Sequence, residues 1–181
     1  MSRPKALVLR STGTNCQDET QRALARGGAD AEILHTNRVI EDPSRLDPYS
    51  ILVFAGGFSF GDDLGAGRVW GAQLRHALGD RLQRHLERGG LVLGVCNGFQ
   101  VLMETGIFEP DKTPATRDMA LYANASGHYE CRWVHLKTLN TLCPWLTPGE
   151  CFAVPMAHGE GRFVVRNLAA METLAAARQL A

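Results

Sequence analysis

The residue best placed for covalent chemistry is Cys96, in the run Gly94-Val95-Cys96-Asn97-Gly98-Phe99-Gln100. It follows the apolar segment Leu91 to Val95 and precedes a helical pattern opening at Gly98. Glycines two before and two after a nucleophile-type residue, at a strand-to-helix junction, spell a nucleophile elbow, G-x-[nucleophile]-x-G. The glycines let the chain turn sharply, so the sulfur projects above the sheet. The next backbone N–H, on Asn97, then faces an oxyanion developing on a carbonyl. A helix N-terminus at the same place favours thiolate over thiol. Stripped of chemistry, the pentapeptide is a buried cysteine in a tight turn, a common fate for this residue. Cys16, Cys131, Cys143 and Cys151 have no such setting and are expected to be packed or surface thiols.

Two other segments carry suggestive residues. Ala55-Gly56-Gly57-Phe58-Ser59-Phe60-Gly61-Asp62-Asp63 directly follows the apolar Ile51 to Phe54. A glycine pair at a strand's C-terminal end brings backbone N–H groups close to a ligand, and α/β sheets bind ligands at that edge. The stretch has no Gly-Lys-Ser/Thr and does not match G-x-G-x-x-G, so it is not a phosphate loop of either kind. Gly57 is a candidate second oxyanion donor opposite Asn97; the alternative is a plain turn. His158-Gly159-Glu160-Gly161 offers an H-x-E pair, and a cysteine nucleophile needs a base oriented by an acid. The alternative is a polar turn closing a strand. His76 and His85 fall on a long helix and are expected in solvent, while His35, His128 and His135 stand alone. No metal-ligand spacing is present.

These residues need a scaffold, and the first half of the chain supplies one. Lys5 to Arg10, Ala31 to Leu34, Ile51 to Phe54 and Leu91 to Val95 are short, nearly all-apolar runs. That pattern belongs to parallel strands covered by helices on both faces. Helical spacing separates them: Thr20, Ala23 and Leu24 within Gln17 to Ala25, then Trp70, Leu74, Ala77, Leu78, Leu82 and Leu86 within Val69 to Arg88. The βαβα order predicts a doubly wound, mostly parallel α/β sheet. The second half reads as a β-rich excursion: Met119 to Asn124, Tyr129 to Leu139 and Phe152 to Ala157, then a helix over Leu168 to Leu180 capped by Asn167. Residues 1–181 are expected to form a single domain.

Composition excludes several classes. Of 181 residues, 45% are hydrophobic and 21% charged, with 19 Lys+Arg against 19 Asp+Glu. A balanced charge argues against a nucleic-acid surface. No apolar run approaches the about 20 residues of a membrane span, and Ala6 to Leu9 is too brief for a secretory signal. Five cysteines at irregular spacing are not a disulfide framework. The expectation is a reduced, cytoplasmic protein.

With these motifs in order, the chain resembles the class I, triad-type glutamine amidotransferases with their flavodoxin-like sheet. GVCNGFQ resembles their active-site motif. Thr14-Asn15-Cys16-Gln17-Asp18-Glu19-Thr20 resembles a G-[ST]-N-C-D-x-E segment, and Gly56 to Asp62 (GGFSFGD) resembles GGFSYGD. Asn124-Ala125-Ser126, Tyr129 to Val134, and Ala157 to Phe163 complete a pattern similar to the family of glutaminase subunits of phosphoribosylformylglycinamidine synthase, from purine biosynthesis. The resemblance runs from about Lys5 to the end. It implies glutamine hydrolysis by a Cys–His–Glu triad with Cys96 as nucleophile, Gly57 and Asn97 as oxyanion donors, and Gln100 positioning the glutamine. It implies ammonia transfer to a large synthetase subunit that uses ATP and magnesium, a small accessory subunit, and no cofactor in this chain.

The sequence departs from the family in one respect. The catalytic His and Glu belong to a later His-Pro-Glu motif, and none occurs here. The domain is therefore expected to lack its C-terminal part. His158 and Glu160 match an earlier motif, so the triad roles are not transferred to them. General acid–base help is worth about 10²–10⁴-fold, so the expected glutaminase activity is residual. One alternative is a catalytically crippled docking module for the synthetase. Another is a DJ-1-like elbow hydrolase, which would pair Cys96 with an acid near the first strand's end. Here Ser11, Thr12 and Asn15 come first, and Asp18 and Glu19 only later.

Overall fold

The four apolar runs become four parallel strands. The computed structural model describes residues 2–109, 111–139 and 142–180. In it β1 (Lys5–Arg10), β2 (Asp30–His35), β3 (Ile51–Phe54) and β4 (Leu91–Gly94) form one sheet in the order β2-β1-β3-β4. Every pairing is parallel, with Val8 opposite both Ile33 and Val53, and Val53 opposite Leu93. Successive strand residues point to opposite faces, and each face meets its own helices. Leu7, Leu9, Leu52 and Phe54 pack with Trp70, Leu74, Leu78 and Leu82 of α3 (Arg68–Glu87), and with Val101 and Leu102 of α4 (Asn97–Thr105). Val8, Val53 and Ala55 pack on the other side with Leu24 of α1 (Gln17–Arg26). The fold is doubly wound α/β of flavodoxin-like strand order, and it switches direction between β1 and β3. Ligands bind open α/β sheets at such a switch, outside the strands' carboxyl ends.

One element of this half was not visible in the periodicity. The helix α2 (Thr36–Glu41) is six residues long, too short to show a helical stripe. It is held by side chains instead. His35 Nδ1 accepts from the Asn37 N–H (3.2 Å), the Thr36 hydroxyl donates to the Arg10 carbonyl (3.0 Å), and Val39 enters the core. Trp70 Nε1–H donates to Thr36 Oγ1 at 2.9 Å, tying the start of α3 to the end of β1.

The chain divides into two compact units, Met1–Ala115 and Thr116–Ala181. The second is the β-rich part. β5 (Met119–Tyr122) pairs antiparallel with β8 (Arg162–Val165), and β6 (Glu130–Lys137) pairs antiparallel with β7 (Cys151–His158). β8 is four residues long, too short to stand apart from its flanking turn by periodicity. The last helix, α5 (Leu168–Ala176), is capped by Asn167 Oδ1 accepting from the Ala170 N–H at 2.9 Å. It stops before Leu180 because Arg178 turns left-handed, at φ 56°, while the Gln179 N–H closes back on the Leu174 carbonyl. No helix among the described residues is long and apolar enough to cross a membrane.

Candidate active site

Cys96 stands where β4 gives way to α4, exposed, with φ 53° and ψ −117°. Positive φ is sparsely populated by non-glycine residues, so the cysteine itself carries the backbone strain. The two glycines of the elbow contribute space. A Cβ on Gly98 would lie 1.9 Å from the Phe54 carbonyl oxygen, and one on Gly94 would lie 2.7 Å from that of Gly98. The elbow therefore folds flat against the end of β3, with the Val95 N–H donating to the Phe54 carbonyl at 3.2 Å. The first amide of α4, the Asn97 N–H, makes no hydrogen bond among the described residues, whereas Gly98, Phe99 and Gln100 donate to Val95 and Cys96 carbonyls.

The glycine loop after β3 reaches the same place. Gly56 is next to the elbow: a Cβ there would sit 3.3 Å from the Val95 carbonyl oxygen and 3.4 Å from Cys96 Cβ. Gly57 has φ 148°, and a Cβ on it would strike the Gly13 carbonyl oxygen at 2.6 Å. It is pinned there by an antiparallel bridge to Thr14, in which the Asn15 N–H donates to Gly56 O (3.2 Å) and the Phe58 N–H donates to Gly13 O (2.9 Å). The Gly57 N–H is left without a hydrogen bond among the described residues. Three loops thus meet at the switch point: 11–16 after β1, 55–62 after β3, and 95–97 after β4.

Asn97 does more than its backbone suggested. Its side chain is 1% exposed. Its Oδ1 accepts from the Ser59 N–H at 3.0 Å, and its Nδ2 donates to Asp62 Oδ1 and to Gln100 Oε1, each at 3.0 Å. The carboxamide clamps the glycine loop to the elbow. Asp62 has φ 54° and also accepts from the Gly67 N–H at 3.3 Å, which fixes the loop's far end before α3. Gln100 lies one turn into α4 beside the elbow, half-buried, with its carbonyl oxygen turned to Asn97.

His158 lies in the second unit, at the end of β7. Asn124 Nδ2 donates to the carbonyls of His128 (2.9 Å) and His158 (2.7 Å), leaving its Oδ1 to accept from the His158 ring. That contact is 2.8 Å, so Nδ1 carries the proton. A Cβ on Gly161 would lie 2.5 Å from the same ring. The H-x-E segment is a turn folded over its own histidine, with Glu160 in the bend. Cys16, expected as a packed or surface thiol, is exposed at the start of α1, and its Cβ would lie 3.8 Å from a Cβ on Gly56. The available signal was its place just after β1, at the same sheet edge. Among the described residues, no group of three or more His, Cys, Asp or Glu is arranged to hold a metal ion.

The site is thus a strained, exposed cysteine at the switch point of a parallel α/β sheet, with two amides beside it that have no acceptor among the described residues. The chain belongs to the CobB/CobQ-like glutamine amidotransferase domain family, whose model matches residues 3–181. Within that family it is similar to phosphoribosylformylglycinamidine synthase subunits PurQ. It is 42% identical over 165 residues to the subunit of Dehalococcoides mccartyi, covering 91% of this chain and 64% of that protein. It is 35% identical over 191 residues to that of Treponema denticola, covering 99% and 70%. Among solved structures it superposes on a chain of PurLQS from Thermotoga maritima with a TM-score of 0.72 and 32% identity, covering 92% of this chain and 72% of that one.

Proposed function

We propose that this chain is the glutaminase component of phosphoribosylformylglycinamidine synthase. Cys96 Sγ attacks the side-chain amide carbon of glutamine, and the carbonyl oxygen becomes an oxyanion. The unpaired N–H groups of Asn97 and Gly57 are the donors for that charge, held by backbone that the reaction does not need to reorganise. Collapse of the intermediate breaks the C–N bond, releasing ammonia and leaving a glutamyl thioester on Cys96. Water then attacks the thioester to give glutamate and the free thiol. Gln100, beside Asn97, is the residue we assign to orienting the bound glutamine.

The proton taken from the thiol and given to the leaving amine needs a base. We assign that role neither to His158, whose ring is committed to Asn124 in its own turn, nor to Glu160. Water carries the proton from the thiol to the leaving amine in this scheme, and the expected turnover of this chain is residual. The ammonia is consumed by a large synthetase subunit that uses ATP and magnesium to make formylglycinamidine ribonucleotide, with a small accessory subunit joining the two. This chain carries no cofactor of its own in that scheme, and it works in the cytoplasm. The similarity to PurQ subunits and to the PurLQS chain supports this assignment.

The observation that carries the proposal is the exposed Cys96 at positive φ, next to two amides without acceptors. A module kept only for docking would have no use for a strained, solvent-facing thiol. The test is ammonia release from glutamine with the synthetase subunit present, comparing wild type with Cys96→Ala. The variant is expected to fall to the uncatalysed background. Equal rates in the two would remove Cys96 from the chemistry.

A further inference from the structure

Two thiols converge on one glycine. A Cβ built on Gly56 would lie 3.4 Å from Cys96 Cβ and 3.8 Å from Cys16 Cβ, so the two cysteines flank the gap that its missing side chain leaves. The arrangement is held by backbone on both sides. The Asn15 and Cys16 N–H groups both donate to the Gly56 carbonyl at 3.2 Å, and the elbow is anchored to β3 through Val95. Both thiols are exposed. The Cys16 thiol donates to Asn15 Oδ1 at 3.1 Å and caps no helical amide, so nothing in α1 depends on its present rotamer. The other three cysteines, Cys131, Cys143 and Cys151, all belong to the 116–181 unit.

We infer that Cys16 and Cys96 form a redox pair, in which peroxide oxidises Cys96 and Cys16 resolves it to an intramolecular disulfide. In the first step the Cys96 thiolate attacks hydrogen peroxide. The O–O bond breaks, an S–O bond forms, and hydroxide leaves, so sulfur loses two electrons and peroxide gains them. In the second, Cys16 gives up its proton to water and attacks the Cys96 sulfenic sulfur. The S–S bond forms, the S–O bond breaks, and the departing hydroxide takes up a proton. Two thiols and one peroxide become one disulfide and two waters. Burial, Glu19 and Cys96 itself push the Cys16 thiol above its ordinary pKa. Cys16 thus stays protonated at neutral pH and is not the thiol that attacks peroxide first; it reacts with the sulfenic sulfur only after giving up its proton. A disulfide wants Cβ atoms about 3.5–4.5 Å apart, and the Cβ atoms of Cys16 and Cys96 both lie within 4 Å of the side-chain position that Gly56 leaves empty. The bridge switches the nucleophile off and shields it from irreversible oxidation. The inference stands whether or not Cys96 attacks glutamine.

The experiment treats the full chain with a small molar excess of hydrogen peroxide, blocks free thiols under denaturing conditions, and maps the peptides by mass spectrometry without reduction. The expected result is a Cys16–Cys96 linked peptide, with dithiothreitol returning both free thiols. In Cys16→Ser, Cys96 should proceed to sulfinic acid, which dithiothreitol does not reverse. In Cys96→Ser, Cys16 should stay reduced under the same treatment. Wild-type Cys96 ending as sulfinic acid beside a reduced Cys16 would overturn the pair. So would a disulfide from Cys96 to any other cysteine or to a second chain.

Discussion

The buried carboxamide of Asn97 explains why the elbow and the glycine loop stay in step. The Asn97 amide accepts from the Ser59 N–H and donates to the Asp62 carboxylate from one side chain. Asn97→Asp is nearly the same size but replaces the donor with oxygen, setting two carboxylates against each other with little water to screen them. We expect it to cost about 3 kcal/mol in urea unfolding, within the range for a buried group deprived of its partner. A change near zero would show that the clamp is not real. The backbone part of this site was legible from spacing, since G-x-C-x-G and a glycine pair each imply a close approach. The side-chain part was not, because Asn97 meets partners 38 and 35 residues away that only the sheet brings near.

At the scale of the element, α3 shows how a correct pattern can misplace one residue. The stripe Trp70, Leu74, Leu78 and Leu82 is buried as the periodicity requires, but it continues into His85, at 2% exposure, and not into solvent. The ring is satisfied there in its neutral form: Nε2–H donates to the Leu91 carbonyl at 3.2 Å, and Nδ1 accepts from Arg88 at 3.2 Å. Spacing marks the position as inward but does not announce those polar partners. Burial, and then the Arg88 charge, hold the His85 pKa below its ordinary value, against the pull of the Leu91 hydrogen bond. The folded chain therefore binds fewer protons than the unfolded one as pH falls below about 6.5. The stability present above that pH is lost as acid titrates toward the lowered folded-state value. Unfolding midpoints should drop between pH 7 and pH 5 more steeply for wild type than for His85→Gln. Parallel curves would mean that His85 is not buried neutral.

For the molecule as a whole, the two units differ in how they were read and in what they bury. The parallel sheet was legible because apolar strands under helices on both faces have a distinctive composition. The β-rich part was legible only as strand content. Along β6, Trp133 is 70% exposed and shares its face with Cys131 and His135, while the half-buried residues are Glu130 and Val134. Alternation marks a strand but does not say which side is covered. The candidate site around Cys96 is built from loops of the first unit. It exists only when the sheet gathers the ends of β1, β3 and β4, so its chemistry should be a property of the folded chain and not of five thiols in solution. The most direct measurement is covalent labelling by a glutamine-mimicking diazo-ketone, read by mass spectrometry of the peptides. Folded protein should be labelled at Cys96 alone, with glutamine slowing the reaction and urea abolishing the selectivity. Labelling spread over all five cysteines, or untouched by glutamine, would contradict a glutamine site at this elbow.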